Sequence, residues 1–157
     1  MASIAWSRRN LLATGACALV GAVALPEPAR ASAGGQNLAN EKLIRRWYTA
    51  WKDKDLDTFN ALLADDFTFT SAAGDDHISK SAFKTQCWDT QVNFIGDIDL
   101  ERVATKGDDA FVKYLCHTKN GKSFRNVEYL RIKNGKLESI ECYFGEQSSF
   151  PSAVSKG

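Results

Sequence analysis

Three glycine turns most tightly constrain what this chain can become. They lie at "KGDD" (106–109), "NG" (Asn120-Gly121) and "KNG" (133–135). The four runs they bound, residues 97–105, 110–119, 123–132 and 137–144, read as strands rich in β-branched and aromatic residues. Connections this short join only antiparallel neighbours, so the second half of the chain reads as a meander.

The first half is patterned differently. Leu43, Ile44, Trp47, Tyr48 and Trp51 recur on one helical face, with Lys, Arg and Asp opposite. A short second helix follows over residues 55–64, capped by Asp55 or Asp57, with Leu56, Phe59, Leu62 and Leu63 on its apolar side. In "DDFTFTS" the period changes to two, placing Phe67, Phe69 and Ser71 on one side. Ser79 can cap a third helix running to about Trp88. Helices followed by a meander predict one α+β domain whose sheet curls around the helices.

One strand, "SFRNVEYLRI" (123–132), carries a conflict. Phe124, Asn126, Glu128, Leu130 and Ile132 share a side that looks built for a core, yet Glu128 is a carboxylate. If Asn120 and Gly121 are the two central residues of a hairpin turn, facing residue numbers sum to 241. His117 then faces Phe124, Leu115 faces Asn126, Lys113 faces Glu128 and Phe111 faces Leu130. Cys116, Tyr114 and Val112 fall on the other side with Arg125, Val127 and Tyr129. Spacing alone leaves two readings of Glu128. It is half of a surface ion pair worth ~0.2–1 kcal/mol, or it is a pocket acid raised by burial and lowered by Lys113. The opposite side is too apolar for water, which predicts a homodimer packed through the outer sheet face. Arg125 and Arg131 offer the alternative that this face stays wet.

Other residues carry weaker signals. His117 is a proton shuttle or a rim histidine, and His77 guards a pocket mouth or sits in a solvated loop. Tyr48 offers its hydroxyl to a ligand or to a dimer contact. Asp65-Asp66 end the second helix, and Asp75-Asp76 and Asp108-Asp109 read as turn charges. Glu128 is therefore a single inward acid, which weakens the case for an enzyme. Cys87, Cys116 and Cys142 match no metal spacing and read as buried free thiols. No phosphate loop, nucleophile elbow or zinc motif appears, so no cofactor or metal is expected. The formal charge of +1 gives no nucleic-acid footprint.

The N-terminus reads as an export signal. Ser7-Arg8-Arg9-Asn10-Leu11-Leu12 resembles a twin-arginine motif, and a mild apolar stretch leads to Ala29-Arg30-Ala31, a small-x-small cleavage site. The stretch is shorter than the ~18 apolar residues of a spanning helix. Cleavage near Ala31 removes three arginines and Glu27 and leaves a net charge of −1. The expected organisation is a signal at 1–31, a linker at 32–37, the domain at 38–147 and a tail at 148–157. The mature protein would be periplasmic or secreted, meeting a membrane only during export.

From residue 38 to residue 146 the chain resembles a known family. "W-x3-W-x3-DLD" at Trp47 and Trp51, then "LLADDF", "HISKSAFKTQCW" and the closing "YFGE", are similar to the SnoaL-like branch of the nuclear transport factor two-like superfamily, which also holds the ketosteroid isomerases. The resemblance implies a conical barrel, a strongly curved mixed or antiparallel sheet wrapped around N-terminal helices (a cystatin-like α+β roll). It implies an apolar pocket, with dimerisation common. The pocket would be lined by Trp47, Trp51, Phe69, Ser71, Phe111, Leu115, Asn126 and Phe144, with Glu128, Lys113 and His117 as its chemistry. Glu128 matches the isomerase acid that an apolar site keeps protonated. Trp47 stands where the isomerase has a tyrosine, with Tyr48 next to it, and Ser71 stands where it has its catalytic aspartate. Steroid isomerisation by that mechanism is therefore disfavoured. The expectation is an exported pocket protein acting on an apolar small molecule by acid–base chemistry (isomerisation, cyclisation, dehydration or hydrolysis). The alternative is a binding or dimeric interaction module of the same fold.

Overall fold

The computed structural model describes residues 33–144. The expected signal, and the tail at 148–157, lie outside the described residues. The elements run α1 (Ala33–Asp53), α2 (Leu56–Leu62), β1 (Leu63–Ser71), β2 (Ile78–Ser79), α3 (Lys80–Phe83), a π-helical turn (Lys84–Trp88), α4 (Asp89–Gln91), β3 (Ile95–Lys106), β4 (Asp109–Thr118), β5 (Ser123–Lys133) and β6 (Lys136–Phe144). One curved six-stranded sheet has the order β2-β1-β6-β5-β4-β3. Among the described residues, only β1 and β6 pair in parallel. The four-strand meander and the α+β class stand as the sequence predicts.

Helix α1 begins earlier than expected and takes up most of the anticipated linker. Gly34 and Gly35 are poor helix formers, but tertiary contacts hold the first turns. Gln36 donates to Asp108 Oδ1 (2.6 Å), Asn40 donates to the Gly107 carbonyl (2.7 Å), and Asn37 Oδ1 accepts from the Gly107 amide (3.1 Å). Gly107 has φ +60 in this turn. The helix is thereby tied to the β3–β4 connection at one end of the sheet. At its other end Lys54 takes φ 58, and Asp55 caps α2 by accepting from the Thr58 amide at 2.9 Å. That cap is worth roughly 0.5–2 kcal/mol.

The helices fill the concave side of the sheet with aromatic rings. Trp47 stacks on Phe59 with centroids 5.1 Å apart, Phe59 stacks on Phe83 at 5.8 Å, and Phe83 meets Phe69 of β1 at 4.5 Å. Trp51 packs on Trp88 at 4.8 Å. Each such pair adds ~0.5–1.5 kcal/mol beyond the area it buries. Ser79 caps α3 as expected, and the helix runs on to Gln91 through one π turn. The extra residue of that turn buries both Cys87 and Trp88.

Apolar side chains are left exposed on the convex side. Phe111, Val127 and Tyr143 are exposed there, and the Phe111 and Tyr129 rings meet at 5.0 Å. Among the described residues no helix is long and apolar enough to cross a membrane.

Candidate functional site

The β4–β5 hairpin sets which side chains reach the concave side, and it differs from the expectation by one residue. Its loop has three residues, 119–121. The Gly121 amide donates to the Thr118 carbonyl (3.0 Å) and the Thr118 amide to the Lys122 carbonyl (2.8 Å). Gly121 takes φ +81, the positive-φ position of a three-residue hairpin with a glycine bulge. Thr118 Oγ1 accepts from the Lys122 amide at 3.1 Å and braces the loop. Facing numbers therefore sum to 240: Cys116 faces Phe124, Tyr114 faces Asn126 and Val112 faces Glu128.

A one-residue slip turns a whole strand over. Strand β5 keeps the face predicted for it, with Phe124, Asn126, Glu128, Leu130 and Ile132 buried. Strand β4 is reversed. Val112, Tyr114 and Cys116 point in, whereas Phe111, Lys113, Leu115 and His117 belong to the convex side. Lys113 is thus no partner of Glu128; its ammonium meets Glu101 Oε2 at 2.9 Å, and Arg125 meets the other oxygen at 2.8 Å. His117 bonds Asp99 and Ser123 (3.0 and 2.9 Å) on the surface. Phe111 and Leu115 are not part of the lining of the concave-side cavity. His77 pairs with Asp76 in an exposed turn.

A cavity of ≈ 440 Å³ opens between the helices and the concave sheet. Trp47, Trp51, Phe69, Ser71, Asn126, Glu128 and Phe144 line it, as the sequence suggested. Seven further polar residues line it as well: Tyr48, Tyr114 and Asp75, with Thr85, Gln86, Thr90 and Gln91 on the helical segment after β2.

Glu128 sits on the cavity wall between two phenols. Tyr48 Oη donates to Oε2 at 2.6 Å and Tyr114 Oη donates to Oε1 at 2.9 Å. Asn126 Nδ2 in turn donates to Tyr114 Oη (2.9 Å) and lies 3.5 Å from Cys142 Sγ. Burial pushes the Glu128 carboxyl above the ordinary glutamate range, against the opposing pull of the Tyr48, Tyr114 and Cys142 hydrogen bonds. Burial, then the Glu128 charge, holds both tyrosines well above the usual phenol range, so they remain neutral donors. Burial also lifts the Cys87 and Cys116 thiols to about 12, and Cys142 well above its ordinary value, so none is a thiolate nucleophile near neutral pH. All three are free and buried.

Asp75 brings a second carboxyl to the cavity. Ser71 ends β1, and its Oγ donates to Asp75 Oδ2 at 2.7 Å, while its amide donates to the Asp75 carbonyl at 3.0 Å. The reading of Asp75 as a turn charge is correct for its backbone and misses its side chain. Tyr48 thus places a phenol next to Trp47, and Asp75 a carboxyl next to Ser71, on the cavity wall. Among the described residues no group of His, Cys, Asp and Glu is placed to hold a metal ion.

The arrangement has counterparts of similar fold. A Burkholderia xenovorans NTF-2 like protein of unknown function superposes with a TM-score of 0.63 at 16% identity, covering 77% of this chain and 94% of its own. A LEH-like epoxide hydrolase of M. tuberculosis gives 0.60 at 14% identity, covering 77% and 92%. A Catenulispora acidiphila protein of ketosteroid isomerase-like fold, in complex with trimethylamine, gives 0.57 at 16% identity, covering 69% and 88%. At these identities the likeness is one of fold. No curated protein matches the chain. The SnoaL-like domain family matches residues 44–140, more than half the chain, and the protein belongs to that family.

Proposed function

We propose that the cavity binds an apolar small molecule and that Glu128 exchanges a proton with it. The observation that carries this reading is the carboxyl on the cavity wall with one tyrosine hydroxyl on each oxygen. A carboxyl raised by burial is poised to give and take protons nearer neutral pH than a surface glutamate. Each oxygen keeps a lone pair beyond its phenol bond, so a guest can reach the acid without breaking the network. Asp75 adds a second carboxyl, which isomerisation, cyclisation, dehydration and hydrolysis can all use as a partner acid or base.

One observation favours binding without turnover. Both Glu128 oxygens are already bonded, and a buried carboxyl held on both oxygens also serves to orient a ligand. Native mass spectrometry of the protein from its own host would identify a retained molecule. Turnover of that molecule by wild type, with a fall of ~10²–10⁴ in Glu128→Gln, fits a catalytic acid or base. Equal turnover in the variant contradicts it, and binding with no turnover in either selects the second reading.

The chain is further proposed to be exported through its twin-arginine-like segment and to pair through the convex sheet face. The exposed Phe111, Val127 and Tyr143 support pairing. A secreted product beginning near Ser32, and a dimer in sedimentation at micromolar concentration, are the expected results.

A further inference from the structure

The balance of charge around the cavity is one-sided. Two carboxyl groups, Asp75 and Glu128, line it, and among the described residues no lysine, arginine or histidine does. The Tyr48 and Tyr114 hydroxyls are spent on Glu128. Asn126, also on the cavity wall and buried, has no hydrogen-bond partner for its side-chain oxygen. The wall therefore offers negative charge and one unpartnered acceptor, and its further donors, the Gln86 and Gln91 amides among them, are neutral. Besides the two tyrosines, six aromatic side chains line it, Trp47, Trp51 and Phe69 among them.

Each possible guest fares differently against this lining. An anion meets two carboxyls and no counter-charge, and like charges in a low-dielectric cavity repel. A neutral hydrocarbon fits the rings but leaves the carboxyls without a counter-charge. A cation satisfies both features, because ring faces attract organic cations and a buried carboxylate is stabilised by an opposite charge.

We propose that the cavity takes an organic monocation of the amine class, its apolar body against Trp47, Trp51 and Phe69 and its ammonium head directed at Glu128, with Asp75 as the second negative pole. The proposal rests on the reading of the cavity as a ligand site and names the ligand class.

Three matched probes test it: benzyltrimethylammonium, its neutral carbon isostere neopentylbenzene, and the anion phenylacetate. Trp47 and Trp51 line the cavity, so tryptophan emission reports occupancy. At pH 8 the cation should bind at least ~10-fold tighter than the isostere, with phenylacetate weakest. Glu128→Gln should bring the first two together while leaving the isostere's affinity nearly unchanged. Where that variant fails to fold, Asp75→Asn keeps the acceptor for Ser71 and should lower the cation's preference in the same direction.

The probe's charge is fixed, so pH dependence belongs to the protein. The groups around Glu128 are Tyr48 on α1, Tyr114 and Cys116 on β4, Cys142 on β6, Cys87 on the π turn and Asp75 in the β1–β2 turn. The phenols and thiols stay neutral below pH 8, so cation affinity should rise with pH as Glu128 ionises. An isostere that binds as well as the cation, or a cation preference that survives both substitutions, overturns the proposed ligand class and leaves the cavity reading intact. Failure of all three probes overturns both.

Discussion

Two glutamates on one sheet have opposite fates. Glu101, on β3, lies on the convex side, where hydrogen bonds from Lys113 and then Arg125 hold its carboxyl below the usual range. Glu128, on β5, lies on the concave side, where burial outweighs two phenol hydrogen bonds and pushes its carboxyl up. Each carboxyl has a donor on each of its oxygens. The difference lies in the charge of those donors and in access to water. Cationic partners in solvent favour the ionised form; neutral partners in a cavity do not fully replace the water lost.

The largest effect should come from breaking the division between the two sides. Val112 is fully buried opposite Glu128, whereas its neighbour Phe111 is exposed. Val112→Asp should cost ~3–5 kcal/mol by placing an unpaired charge against Glu128. Phe111→Ser should change monomer stability by within ~0.5 kcal/mol. Chemical denaturation measures both, and similar losses would restore the register that sums to 241.

A smaller effect should follow from removing one phenol hydroxyl. Tyr48→Phe or Tyr114→Phe leaves a Glu128 oxygen short of a donor, at ~1–3 kcal/mol. Either change should also move the Glu128 titration further up, because the lost hydrogen bond favoured the ionised form. Denaturation with a carboxyl titration checks both.

The pH profile sharpens the comparison through its sign. The folded state keeps the Glu128 proton above about 4.3, the ordinary glutamate value, where the unfolded chain has released it. The contribution of Glu128 to stability therefore falls as pH rises through the window between that value and the folded one. Glu101 acts oppositely: its contribution is present above the ordinary value and is lost as pH falls through its lowered folded value. Comparing the stability–pH slopes of wild type, Glu128→Gln and Glu101→Gln should show the falling component vanish in the first variant and the rising one in the second.

The smallest effect is the most specific. Lys113→Ala removes a partner of Glu101 and touches nothing on Glu128, so the Glu128 titration should not move. A shift would mean that Lys113 acts inside the cavity.

Much of the fold was legible because hydrophobic period and turn chemistry agree along the meander and in α1. The concave face of β5 followed from alternation alone, and Glu128 stood out on it. What failed was the partner strand, because "NG" was read as a two-residue turn when Thr118 supports a three-residue loop. The sequence held a second signal against that reading. The set Ala110, Val112, Tyr114 and Cys116 carries no charge, whereas Phe111, Lys113, Leu115 and His117 carries two ionisable side chains. Patterning by charge would have chosen the observed face and brought Tyr114 to Glu128. Asp75 was not legible, since only the folded turn shows that Ser71 directs its side chain to the cavity. Tyr48 was ambiguous because Trp47 and Tyr48, adjacent on α1, are both buried on different neighbours.

The central claim is that Glu128 is a cavity acid held by phenols rather than half of an ion pair. The most direct measurement is the ¹³C shift of its side-chain carboxyl followed through a pH titration, assigned by its absence in Glu128→Gln. The structure predicts a midpoint above about 4.3 that Lys113→Ala leaves in place. A midpoint at or below that value, or one that moves when Lys113 is removed, would contradict it.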